Sequence, residues 1–200
     1  MNTLSFISAN FVARNLGYHM SEGWMQGDKA TQDYYRPLES FAERFDAMLA
    51  EVADMGFKAI DLWGAHLHPD WATREHLGIA KDRLKTHGLK VTSMAAWCAS
   101  LAHVEGFSRV SSAIGSPIIA GGAPILREYR AEAVAILKNY GVKLALENHP
   151  EKNSQELLSQ IADGAEGFVG AAPDTGWWAT QNYSAAKALH ELKEHILSFI

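Results

Sequence analysis

An amphipathic helix stopped by a glycine, then a short apolar run, recurs along most of this chain, and that repeat narrows the fold more than any other feature. Residues 37–55 open with Pro37, suited to a first helical position, and set Leu38, Phe41, Phe45, Met48, Leu49 and Val52 on one face before Gly56. The run 57–64 that follows is short and apolar, as a buried strand is. The pattern predicts further helices over 71–87, 103–114 and 125–140, each followed by a glycine. Strands are predicted at 89–94, 117–121, 142–146, 167–172 and 196–200, with a first strand at 4–9. Asn153 with Glu156, and Ser184, supply helix starts between the later strands. From the second strand on, starts fall about 25 to 32 residues apart, which suits parallel strands joined by crossover helices.

Strands alternating with helices allow a doubly wound sheet or a (β/α) barrel. The chain carries neither GxGxxG nor GxxxxGK[ST], so nothing supports the nucleotide-binding open sheet. Polar, ionisable and aromatic residues gather instead at the C-terminal ends of the strands, where barrels keep their chemistry. We therefore expect an α/β fold of the TIM type, incomplete, with about seven of eight strands present. All 200 residues are read as one domain.

Composition excludes several classes. With 48% hydrophobic and 20% charged residues the chain is an ordinary globular one, not a disordered one. No apolar run approaches the roughly 18 residues of a membrane span, and no secretory leader is visible at Met1-Asn2-Thr3. A single cysteine, Cys98, fits a reduced, cytoplasmic setting. A net charge of −5 without a Lys/Arg stripe argues against a nucleic-acid partner.

Glu147 follows the fifth strand directly and Asp174 takes the matching place after the sixth. Neighbouring strands lie about 4.8 Å apart, so these carboxylates can share a divalent cation; each can equally cap the helix that follows. His149 can reach substrate, or orient Glu147. His66 and His68 form an H-x-H able to ligate zinc, or are surface histidines ahead of a helix. His76, His87, His190 and His195 read as solvated. Six tryptophans are many for this length, and Trp63, Trp97, Trp177 and Trp178 fall at strand ends. Flat rings there suit the C–H face of a sugar, or plug the barrel mouth. Residues 13–35 read as a long aromatic-rich loop of the kind that forms lids. Gly121-Gly122 is too short a signal to name a phosphate cradle.

Ala145-Leu146-Glu147-Asn148-His149-Pro150 with Pro173-Asp174-Thr175-Gly176 resembles the sugar phosphate isomerase/epimerase family of xylose isomerase-like TIM barrels. Ile60-Asp61-Leu62-Trp63 with His66, and Gly115 before Pro117-Ile118-Ile119, resemble its second and fourth strands. The resemblance implies a divalent metal (Mn²⁺, Mg²⁺, Co²⁺ or Zn²⁺) held by a Glu, an Asp, a His and a second Glu from strands five to eight. Glu147 and Asp174 match the first two. It implies isomerisation or epimerisation of a ketose or keto-polyol, by proton abstraction beside a carbonyl through an enediolate, with Glu147 as the catalytic acid or base. His149, His66, Trp63, Trp97 and Trp177 would contact a small-molecule sugar.

Two departures stand out. Many relatives carry a histidine three residues after the strand-six Asp, where this chain has Trp177. The remaining two ligands would lie beyond Ile200, since complete barrels run to about 250 residues. The expectation is a domain lacking its C-terminal part, with weak catalysis by the 200 residues alone and apolar edge strands that favour a homodimer. The alternatives are a metal-dependent endonuclease-like hydrolase of the same superfamily, or an inactive sugar-binding remnant.

Overall fold

The computed structural model describes residues 3–199; Met1, Asn2 and Ile200, the last residue of the expected seventh strand, lie outside the described residues. The chain forms two compact units, residues 1–95 with 109–116, and residues 96–108 with 117–200.

In the first unit, β1 (Phe6–Ile7), β2 (Ala59–Trp63) and β3 (Lys90–Ala95) pair in parallel. Phe6 faces Ile60, and the β2–β3 register shifts between Ile60 and Asp61, so that Asp61 meets Ser93. Every residue of β2 is buried, as the apolar run requires. The helices are α1 (Trp24–Tyr35), α2 (Leu38–Asp54) and α3 (Arg74–Thr86). On α2 the expected face is the buried one: Phe41, Phe45, Met48, Leu49 and Val52 are inaccessible or nearly so, and Phe41 stacks on Phe45 at 5.1 Å. Each such side chain contributes about 1.5–3 kcal/mol by leaving water. Pro37 stands one place earlier than expected, as the N-cap of α2.

Two expectations for this unit change. Residues 13–35 are not a structureless loop: they hold a 3-10 turn at Arg14–Leu16 and then α1. That helix approaches the chain closely, because a Cβ on Gly27 would lie 2.5 Å from the Val12 carbonyl oxygen. His76 is not solvated but buried. Thr73 Oγ1 accepts from the His76 backbone N–H, and the Thr73 N–H donates to His76 Nδ1, closing a capping box at the start of α3. With Nδ1 accepting, Nε2–H donates to the Arg36 carbonyl at 3.1 Å.

The second unit pairs β4 (Ile118–Gly121), β5 (Lys143–Glu147) and β6 (Val169–Ala172) in parallel. Its helices are α5 (Arg130–Tyr140), α6 (Ser154–Ile161), α7 (Thr175–Thr180) and α8 (Ala185–Leu192), while α4 (Leu101–Ile114) begins here. Ala120, Ala145 and Ala172 form a small core, and Leu137, Leu157, Ile161 and Leu192 bury against the unit. The helix expected over 125–140 is interrupted: a 3-10 turn at Pro124–Arg127 precedes α5, and Tyr129 is 43% exposed.

In place of a full seventh strand, Ile196 makes one parallel bridge to Ala171. Ala171 N–H donates to the His195 carbonyl at 2.8 Å, and Leu197 N–H to the Ala171 carbonyl at 2.9 Å. Gly170 permits that approach, since a Cβ there would lie 2.4 Å from the His195 oxygen. Among the described residues no helix is long and apolar enough to cross a membrane.

Candidate metal centre

Parallel register sets the first dimension of the site. Glu147, the last residue of β5, lies opposite Ala172, the last of β6, and Asp174 follows two residues later. Asp174 is the N-cap of α7: its Oδ1 accepts the Trp177 backbone N–H at 3.0 Å. The capping reading of Asp174 is therefore correct, yet only one carboxylate oxygen is spent on it.

Asn148 locks the two strand ends together. Its Nδ2 donates to the Asp174 carbonyl at 3.0 Å, and the Asp174 N–H donates to its Oδ1 at 2.6 Å. A wholly buried amide with both functions satisfied by one residue fixes the spacing of the loops. Asn148 stands in the motif but its role does not follow from the sequence, because the link depends on how the two loops fold.

His149 completes a cluster. Its Nε2 lies 3.2 Å from Asp174 Oδ2 and 3.7 Å from Glu147 Oε1, so it stands closer to Asp174 than to Glu147, whose orientation was one of its two expected roles. The next peptide bond, His149–Pro150, is cis. The side chains of Glu147 and Asp174 are 23% and 25% exposed and that of His149 is 42% exposed, so the cluster is open to small molecules.

Among the described residues, one group of three or more His, Cys, Asp or Glu brings its donor atoms together, and it is this one, with all three atoms within 4.8 Å of one another. Donors sharing an ion at about 2.0–2.2 Å lie at most about 4.4 Å apart. His149 Nε2 lies within that limit of both carboxylates, and two carboxylate oxygens with one imidazole nitrogen form a donor set that suits a divalent cation.

The aromatic candidates divide. Trp177 lies beside the cluster, its ring 4.3 Å from that of His149. Trp97 is 54% exposed, and its indole lies over bare backbone: a Cβ on Gly122 would fall 2.0 Å from the Trp97 ring. Residues 96–98 run alongside the end of β4, with Ala96 N–H donating to the Ala120 carbonyl and Cys98 N–H to that of Gly122. Trp178 is fully buried. Trp63 and His66 belong to the first unit and are buried there.

His66 is thus no surface histidine. Its Nδ1 lies 3.4 Å from Ser8 Oγ and 3.3 Å from the Trp63 carbonyl, and its ring meets those of Tyr35 and Trp63. Burial pushes its pKa down to about 3, so it stays neutral. Asp61, also in β2, shows the mirror effect: burial lifts its carboxyl to about 6, against hydrogen bonds from Ser93 and the Ala95 backbone. Burial likewise pushes the Cys98 thiol up to about 12, which leaves it unreactive.

The second unit also holds a cavity of about 550 Å³, lined by Leu126, Arg127, Arg130, Pro150, Glu151 and Gln160 among others. It shares the segment after His149 but includes none of the three donors.

No family model matches this sequence, and no curated protein does. Solved structures do match. A xylose isomerase-like TIM barrel protein from Mycobacterium smegmatis, in complex with magnesium, is 15% identical with a TM-score of 0.66, covering 98% of this chain and 74% of that one. A probable 3-DHS dehydratase of petrobactin synthesis from Bacillus anthracis is 14% identical with a TM-score of 0.64, covering 99% and 72%. A 3-keto-D-glucoside 4-epimerase from E. coli is 15% identical with a TM-score of 0.62, covering 78% and 72%. The chain shares the TIM-barrel fold of these structures, with six strands and one isolated bridge among the described residues where about seven strands were expected. Identities this low carry the fold and leave the chemistry to the residues.

Proposed function

We propose that this chain belongs to a divalent-metal-dependent enzyme that isomerises or epimerises a sugar or polyol by moving a proton beside a carbonyl. One observation carries the reading: Glu147, His149 and Asp174 converge at the ends of adjacent strands, in a fold whose solved examples include an epimerase and a magnesium-bound protein. Glu147, His149 and Asp174 would hold the cation, which when bound supplies Lewis-acid polarisation of the carbonyl and its neighbouring hydroxyl.

The remaining work falls to the side chains. Glu147 is the proton-moving group: it is partly exposed, stands on a rigid strand, and its carboxylate can both take and return a proton. Proton loss beside the carbonyl leaves an enediolate, and return of the proton at the neighbouring carbon or on the opposite face gives the isomer or epimer. Asp174 stays fixed, because its backbone is tied to Asn148 and one of its oxygens caps α7. His149 bridges the two carboxylates and would contribute an imidazole nitrogen to the donor set. Trp97, half exposed, offers an apolar face to a sugar ring.

The test is exchange of substrate C–H for deuterium in D₂O, followed by NMR over a panel of ketoses and keto-polyols with added Mn²⁺. Exchange that needs metal, and that falls by about 10³-fold or more in Glu147→Gln, is the expected result. Absence of both exchange and metal binding across the panel would overturn the reading.

A further inference from the structure

Two contacts of Trp177 reach outside the helix it sits in. Its backbone N–H donates to Asp174 Oδ1 at 3.0 Å, a cap that any residue at this position would provide. The indole makes the two that reach outside. Its ring centroid lies 4.3 Å from that of His149 at 46°, and its Nε1–H donates to the Glu151 carbonyl at 3.2 Å. Glu151 is itself nearly buried, and its carboxylate accepts from the Gln160 side-chain amide. The indole therefore has a fixed edge on a fixed segment, and it presents a face to the most exposed of the three donor side chains.

An imidazole that is 42% exposed has several staggered side-chain positions open to it, and only some place Nε2 between Glu147 and Asp174. From these contacts we infer that Trp177 is a positioning residue: its indole, pinned by the Glu151 carbonyl, holds the His149 ring against Asp174 and so assembles the donor set in advance. This inference rests on the metal-centred reading above. It also gives Trp177 a task other than stacking on a sugar, because the face that matters is the one turned to His149. Groups that orient a ligand in this way commonly account for about 10–100-fold in metal affinity.

The experiment titrates the full chain with Mn²⁺ by calorimetry and, without metal, follows the His149 ring protons by NMR. Trp177→Ala keeps the backbone cap of α7 and removes the indole. It should weaken Mn²⁺ binding by about 10–100-fold and move the His149 ring signals, which lose the ring-current shift of the indole. Trp177→Phe keeps an aromatic face without the Nε1–H bond and should recover part of the affinity; it also serves if the alanine variant does not fold. Wild-type affinity in both variants would overturn the inference. So would unshifted His149 signals in the metal-free variants. Should the wild-type chain bind no Mn²⁺, the metal-centred reading fails, while the His149 χ1 rotamer population, read from three-bond couplings in wild type and Trp177→Ala, still decides whether Trp177 positions the ring.

Discussion

His66 and His149 stand at similar places in the chain, three residues past the end of β2 and two past the end of β5, and they meet opposite fates. His66 is 1% exposed, faced by a serine hydroxyl and a backbone carbonyl and flanked by aromatic rings. His149 is open to solvent and faces two carboxylates. The acids repeat the contrast. Asp61 is buried with Oδ1 unpartnered, whereas Asp174 engages both oxygens at a partly exposed helix start. A strand end therefore becomes a site only where charge partners and access coincide. In the first unit the same residue types, once enclosed, become part of the packing.

That contrast can be broken experimentally. The largest effect should come from His66→Ala, which leaves a cavity and removes one hydrogen-bond partner of Ser8, costing about 3 kcal/mol in denaturant unfolding. The wild-type chain should also lose stability as pH falls from about 6.5 toward 3. The unfolded histidine takes its proton near 6.5, while the folded one resists down to about 3, so acid favours unfolding. His66→Ala should flatten that limb.

Asp61→Asn should come next, with the opposite sign. The folded carboxyl holds its proton up to about 6 and the unfolded one releases it near 4. A destabilising contribution therefore grows as pH rises through that window and persists above it. The amide should gain about 2 kcal/mol at pH 7 and nothing below pH 4, read from unfolding midpoints at the two pH values. A variant no more stable than wild type at pH 7 would mean that the buried carboxylate is better solvated than its surroundings suggest.

His149→Ala should reverse the His66 pattern. Stability should change by less than about 1 kcal/mol, while Mn²⁺ binding weakens by about tenfold or more as one of three donors is lost. Smallest is Trp97→Ala, whose half-exposed ring should be worth no more than about 0.5 kcal/mol to folding. On the role proposed above, its loss should raise KM for the sugar, read from initial rates.

Strands β2 to β5 were legible because each is an apolar run following a glycine that ends a helix; β2 to β6 begin within two residues of where the pattern puts them. The α1 segment was not legible, because its buried face is Gly27, Thr31 and Tyr35, of which the tyrosine alone is large and one residue marks no apolar stripe. The 125–140 helix was over-extended for the converse reason: apolar spacing runs on through a 3-10 turn, and only the exposure of Tyr129 reveals the break. At the site, Glu147 and Asp174 could be paired from strand ends alone. The links through Asn148 and Trp177 could not, since both depend on loop conformation that no periodicity encodes.

Trp97 lies against a residue that has no side chain to push back. A methyl group on Gly122 would fall 2.0 Å from the indole, and Gly121, at φ +144°, already leaves no room to shift, with the Ala96 carbonyl 2.0 Å from where its own Cβ would stand. The orientation of the aromatic ring is thus held open by an absence. If Trp97 meets a sugar, selection for a different substrate has a route through position 122. One added carbon there would tilt the platform without altering any residue that touches the ligand.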